Sequence, residues 1–170
     1  MMTNRHTFTI KGKALKPVVQ GGMGVGVSAH RLAGTVAQCG GMGTISCVDL
    51  RHLHPDLLEE TENSKDKERI NEVNLIALDR EIKAAHAIAQ GNGLIAVNIM
   101  RAVSEYAAYV KQACESGAQA IVVGAGLPLD LPDLTVDYPD VALIPILSDA
   151  RGVGVVLKKW LRKNRLPAAI

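Results

Sequence analysis

A chain of 170 residues has room for one domain with a substantial core. Its apolar fraction of 48% and charged fraction of 21% are those of a globular protein. A net charge of +2, with no basic stripe interleaved with aromatics, argues against a nucleic-acid partner. No segment is long and apolar enough to span a membrane, and the polar N-terminus carries no secretion signal. Cys39, Cys47 and Cys114 are odd in number and lack metal-type spacing, so no metal site is expected. They read as buried thiols of a cytoplasmic protein.

Phe8 to Ile10 predict a short leading strand, and Pro17 to Gln20 a first core strand. A glycine-rich loop follows, Gly21-Gly22-Met23-Gly24-Val25-Gly26-Val27, and Ser28 is placed to cap a helix ended by Gly40-Gly41. Leu32, Ala33, Val36 and Ala37 recur there at helical spacing. Met42 to Val48 predict a second strand. Residues 51–69 are charged and break the rhythm, which reads as a polar insertion or lid. A long helix then keeps Ile70, Ala77, Leu78, Ile82, Ala85 and Ala89 on one side and stops at Gly91-Asn92-Gly93.

Leu94 to Ile99 predict a third strand, and Ser104 caps a helix that turns Tyr106, Val110, Ala113 and Cys114 inward. Ala120 to Val123 predict a fourth strand, ending in Gly124-Ala125-Gly126. Pro128, Pro132 and Pro139 suggest an extended connection to a fifth strand, Val141 to Leu147. An amphipathic helix with Val153, Val156, Leu157, Trp160 and Leu161 comes next. Its basic end (Lys158, Lys159, Arg162, Lys163, Arg165) suits the helix dipole. Ala168-Ala169-Ile170 look like the start of a sixth strand.

Alternating strands and helices imply an α/β fold with parallel pairing and right-handed crossovers. Five units and the start of a sixth fit a (β/α)8 TIM-type barrel truncated after about five βα units. A five-stranded doubly wound sheet fits the length better and the start of a sixth strand less well, and pattern alone leaves the two open. The first reading makes residues 1–170 the N-terminal portion of one barrel domain, with the insertion at about 51–69.

In either fold, function lies at the carboxyl ends of the strands. Asn98 is a polar amide closing an apolar strand, either bonded to nearby loop backbone or held for a ligand. The Gly22-Met23-Gly24 loop brings backbone close to whatever it cradles. Gly124-Ala125-Gly126 is either a plain turn or a second such approach. Ser148 and Asp149 suit caps. The histidines (His6, His30, His52, His54, His86) follow no core strand, and no acid–base, nucleophilic or metal constellation emerges.

Gln20-Gly21-Gly22-Met23-Gly24, Gly40-Gly41-Met42-Gly43-Thr44-Ile45, Ala96-Val97-Asn98-Ile99-Met100 and Gly124-Ala125-Gly126-Leu127-Pro128 follow one another here. In this order they resemble the nitronate monooxygenases, formerly called 2-nitropropane dioxygenases. The strand Ile144 to Ser148 and the helix around Lys158-Lys159-Trp160 also look like that family. The resemblance implies the barrel and an FMN cofactor across the strand ends. It places Gly22, Met23 and Gly24 on the flavin ring, Asn98 at its edge, and Gly124, Ala125 and Gly126 beside flavin and substrate.

The implied reaction oxidises alkyl nitronates with dioxygen to a carbonyl compound and nitrite. The family's catalytic histidine, in a His-Gly-Gly or Gly-Gly-His segment after the next strand, has no counterpart up to Ile170, so no catalytic residue is assigned. The later phosphate-gripping loops are likewise expected beyond it. Two rivals share these residues: a flavin-dependent enoyl-acyl-carrier-protein reductase, and a non-catalytic partial barrel. The second would self-associate into a homo-oligomer through an exposed strand edge.

Overall fold

Strands with apolar residues on both faces need cover on both sides, and this chain provides it by alternating them with helices. The structure, a computed structural model, describes residues 7–170, so His6 lies outside it. A hairpin comes first, β1 (Phe8–Ile10) antiparallel to β2 (Lys13–Leu15). Lys11 and Gly12 both take positive φ at its turn, the geometry that suits the strand twist. Helix α1 (His30–Gln38), β3 (Met42–Ser46), a 3-10 turn (Leu50–Leu53), α2 (Pro55–Thr61) and the long α3 (Lys67–Ala89) follow. The remainder is β4 (Leu94–Met100), α4 (Tyr106–Glu115), β5 (Ala120–Gly124), the short α5 (Leu131–Leu134), β6 (Ala142–Pro145) and α6 (Ala150–Leu161).

The main sheet has the order β3-β4-β5-β6, all parallel. Strand order equal to chain order is that of a barrel, because a doubly wound sheet reverses direction at its switch point. The fold is therefore α/β, a partial barrel. Strand alternation divides its residues between two faces. Ile45, Ile95, Val97, Ile99, Ile121, Val123 and Leu143 pack under the helices with Val110, Val156 and Trp160. Met42, Leu94, Ala96, Ala120, Val122 and Ala142 form the inner face, closed at its amino end by Ile10 and Leu15 of the hairpin. Lys11 and Lys13 fasten that hairpin by donating to the carbonyls of Pro139 and Gly91.

Several expectations need correction. Pro17 to Gln20 make only one bridge, Val19 to Met42, rather than a full strand. Proline has no N–H for a ladder, and the backbone leaves the sheet at Gly21. Ser28 and Ser104 cap nothing: α1 starts after Ala29 and α4 after Glu105, neither with a side-chain cap. Ser28 is fully buried in the glycine loop instead, and the Ser104 hydroxyl donates to Glu105. Asp66 and Asp149 do cap α3 and α6.

The polar stretch 51–69 carries secondary structure of its own. It folds as the 3-10 turn and α2, with Leu57 and Thr61 buried and Arg51 bonded to Asp49 and Thr61. The proline-containing connection includes α5. Ala168 to Ile170 form no strand, although the Ala168 N–H reaches the carbonyl of Leu143 on β6 (2.9 Å). In the basic helix end, Lys163 pairs with Asp133, and Arg165 donates to the carbonyls of Tyr138 and Val141.

Helix α1 sits against the sheet without intervening side chains. A Cβ on Gly43 would lie 1.9 Å from the carbonyl oxygen of Ala33. We therefore expect Gly43→Ala to destabilise the fold by about 1–3 kcal/mol or more. Gly154→Ala, at an α6 position with open space around it, should stabilise by about 0.4–1 kcal/mol. Urea denaturation of both variants measures the contrast.

Burial pushes the Cys47 thiol from 9.0 up to about 12 and the Cys114 thiol up to about 11, while Cys39 is exposed. A disulfide reagent should therefore label one thiol quickly in the native protein and all three only after unfolding. Because the folded state holds the Cys47 proton more tightly, its contribution to stability is full below about pH 9 and is lost as the pH rises towards 12. Alkaline denaturation of wild type and Cys47→Ala checks the sign.

Candidate functional site

The inner face opens into a cavity of about 630 Å³, within the range of small-molecule sites. One side is the Gln20-Gly21-Gly22 turn, and the carboxyl ends of β4 and β5 supply Asn98, Met100, Gly124 and Ala125. Apolar residues such as Ile144 and Ile146 complete the wall, and among the described residues no charged side chain lines it. Polar capacity is confined to Gln20, Thr44, Asn98 and the backbone. Such a surface suits a flat, uncharged ring system better than a phosphate.

The turn is held by an unusual substitution in the ladder. The Met42 N–H donates to the Val18 carbonyl, and the Gln20 N–H to that of Met42. The next sheet donor, the Thr44 N–H, finds no main-chain carbonyl because the backbone has turned away. It donates instead to Gln20 Oε1 at 2.9 Å. Gln20 Nε2 reaches Ser28 Oγ at 2.8 Å, and Ser28 Oγ also accepts from the Met23 N–H and donates to the Gly21 carbonyl. One side-chain amide thus both completes the sheet and fixes the loop.

Gly22 lies directly on Asn98. An added Cβ would meet Asn98 Cβ at 2.5 Å and Oδ1 at 3.1 Å, so only glycine allows this approach. Asn98 donates to the Val122 carbonyl over a long 3.5 Å, which leaves most of its hydrogen-bonding capacity towards the cavity. Ala125 holds φ at +57°, a strained position for a residue with a Cβ, at the cavity rim. Thr44, itself buried, lines the cavity with a hydroxyl that has no partner.

The structure therefore brings Gly22, Asn98, Gly124 and Ala125 together around one cavity. Met23, Gly24 and Gly126 stand outside its lining. Met23 is exposed, and Gly24 backs onto Ser46 and Val48. Gly126 packs on the Arg101 side chain and borders a neighbouring depression of about 520 Å³ with Ser148, Asp149 and Arg151. Gln20 and Thr44 belong to the site although the sequence reading passed over them. Gln20 carried the same signal as Asn98, a polar amide ending an apolar run. Among the described residues, no group of three or more His, Cys, Asp or Glu side chains is placed to hold a metal ion. No helix there is long and apolar enough to cross a membrane.

Replacing Gln20 by leucine leaves the Thr44 N–H without an acceptor. The expected loss is about 1–3 kcal/mol, with faster amide exchange across residues 21–28 than in wild type. Exchange mass spectrometry of the two proteins checks this.

Comparison with known proteins places these features in context. A search of curated proteins found no significant match. A similar solved structure is that of FabK from Thermotoga maritima, with a TM-score of 0.60 and 19% sequence identity. The match covers 84% of this chain and 37% of that one, so the chain spans well under half of that protein's length. At this identity the likeness concerns the fold. The family model for nitronate monooxygenase matches residues 7–164, nearly the whole chain. This chain belongs to the nitronate monooxygenase family, a family of flavin-dependent oxidoreductases.

Proposed function

We propose that this chain forms the flavin-ring half of an FMN-dependent oxidoreductase that acts on alkyl nitronates. The observation that carries this reading is the cavity at the strand ends, where Gly22 and Asn98 touch and Gly124 and Ala125 of the neighbouring strand end join the lining. Family membership supports it. Gly22 lets the ring approach the loop backbone, while Asn98 and the backbone around Gly124 and Ala125 hydrogen-bond its polar edge. Met23, Gly24 and Gly126 complete the proposed contact set from outside the present cavity lining. The apolar wall excludes bulk water from the bound ring.

A bound FMN would supply the electron relay between nitronate and dioxygen, with two nitronates and one dioxygen giving two carbonyl compounds and two nitrites. The chain's own part is to bind and orient. None of its residues is assigned a proton-transfer role. Three unpaired cysteines and the soluble chemistry of the substrate favour the cytoplasm.

Visible absorption on FMN titration tests the reading. We expect a perturbed flavin spectrum with saturable binding in wild type, and binding weakened at least tenfold in Gly22→Ala, whose methyl must displace Asn98. Wild type that ignores FMN overturns the proposal. Anaerobic addition of NADH then separates the enoyl-reductase alternative, which would reduce its flavin that way. Gel filtration without flavin exposes self-association of a non-catalytic barrel.

A further inference from the structure

One polar group in the cavity wall is left unanswered by the protein. Thr44 lies midway along β3 and is only 1% exposed, yet its hydroxyl finds no hydrogen-bond partner among the described residues. The same residue lines the cavity at the strand ends. A buried hydroxyl without a partner weakens a fold. Valine would fill the same space with a methyl group and carry no such penalty.

The surroundings of Thr44 account for its isolation. Parallel register sets Thr44 beside Ala96, Ala96 beside Ala120, and Ala120 beside Ala142. Across β3 to β6, this layer of the inner face therefore offers no other polar side chain. Gln20 is at hand but fully engaged: its Oε1 accepts the Thr44 N–H, and its Nε2 donates to Ser28 Oγ and the Gly21 carbonyl. Asn98 stands one inward step further along, opposite Ser46, and donates its one long bond to Val122. Thr44 is also held firmly, since its N–H is tied to Gln20 and the preceding Gly43 rests on the carbonyl of Ala33. A hydroxyl fixed in place and shielded from water is preorganised for a ligand atom, to which it can donate or from which it can accept.

We propose that Thr44 is a specificity-determining contact, whose hydroxyl bonds the polar edge of a flat ring held in this cavity. The proposal rests on the flavin reading and adds to it a second polar point, one layer deeper than Asn98. A ring carbonyl or ring N–H at that depth satisfies the hydroxyl, while a ring without such a group leaves it unpaired and is rejected. The small side chains of Ala96, Ala120 and Ala142 leave the layer uncrowded. Thr44 thus weakens the ligand-free fold and strengthens the complex.

That opposition of effects is the test. Wild type, Thr44→Val and Thr44→Ser are unfolded in urea without ligand, and titrated with FMN and with lumiflavin, the same ring without the phosphate. Ligand-free Thr44→Val should unfold at the same urea concentration as wild type or a higher one. It should bind the ring about five- to tenfold more weakly, the loss expected for one hydrogen bond. Thr44→Ser keeps the hydroxyl and should bind within about twofold of wild type. Equal binding by wild type and Thr44→Val overturns the proposal and leaves the flavin reading intact. A ligand-free Thr44→Val less stable than wild type also overturns it, because the hydroxyl would then have a partner of its own, such as a buried water. So does Thr44→Ser binding as weakly as Thr44→Val, since shape rather than the hydroxyl would set the affinity. Wild type that takes up neither flavin strikes the flavin reading itself, and the contact falls with it.

Discussion

Backbone against backbone is the contact on which the rest of the structure depends. Helix α1 rests on β3 where Gly43 faces the carbonyl of Ala33, and Gly93 approaches the carbonyls of Ala37 and Gly41 just before β4. With no side chains between them, helix and sheet have little freedom to slide, because close-packed interiors tolerate displacement poorly. The N-terminus of α1 is thereby fixed over the carboxyl end of β3, where the Ser46 N–H donates to the Ser28 carbonyl. The glycine loop is thus anchored at both ends: Gln20 holds its start to Thr44, and Ser28 holds its finish to Ser46. The cavity wall follows from these anchors.

Most of the architecture was legible because strands covered on both faces leave a plain signature. Ile95-Ala96-Val97 and Ile121-Val122-Val123 could hardly be anything else once Gly91-Asn92-Gly93 and Gly117 marked the helix ends. The choice between barrel and doubly wound sheet was not legible, since it depends on which edge each new strand joins and the apolar pattern is the same for both. Caps misled for a related reason. Ser28 and Ser104 precede helices as capping residues do, but loop partners claimed the Ser28 hydroxyl and the neighbouring Glu105 carboxylate that of Ser104. In 51–69, high charge concealed helices whose ions face one another, as Arg69 does Glu60 and Glu72.

At the site, sequence pattern located Gly22, Asn98, Gly124 and Ala125 because each interrupts an apolar strand or bends the chain just beyond one. Thr44 gave no such warning: a threonine inside a strand is ordinary. The cavity follows the general economy of small-molecule sites, with apolar walls and a few polar groups that fix orientation.

Sequential strand order also bears on how this chain is made. From β3 onward, each strand pairs with the one synthesised before it, and the hairpin beneath them comes out first. Emerging residue by residue, the chain meets its partners already present, and the growing sheet never awaits a strand that belongs between two others. Parallel pairing closes long loops and is slow in a chain released all at once. Vectorial synthesis relieves that handicap here, since each new βα unit adds to one edge of a sheet already built.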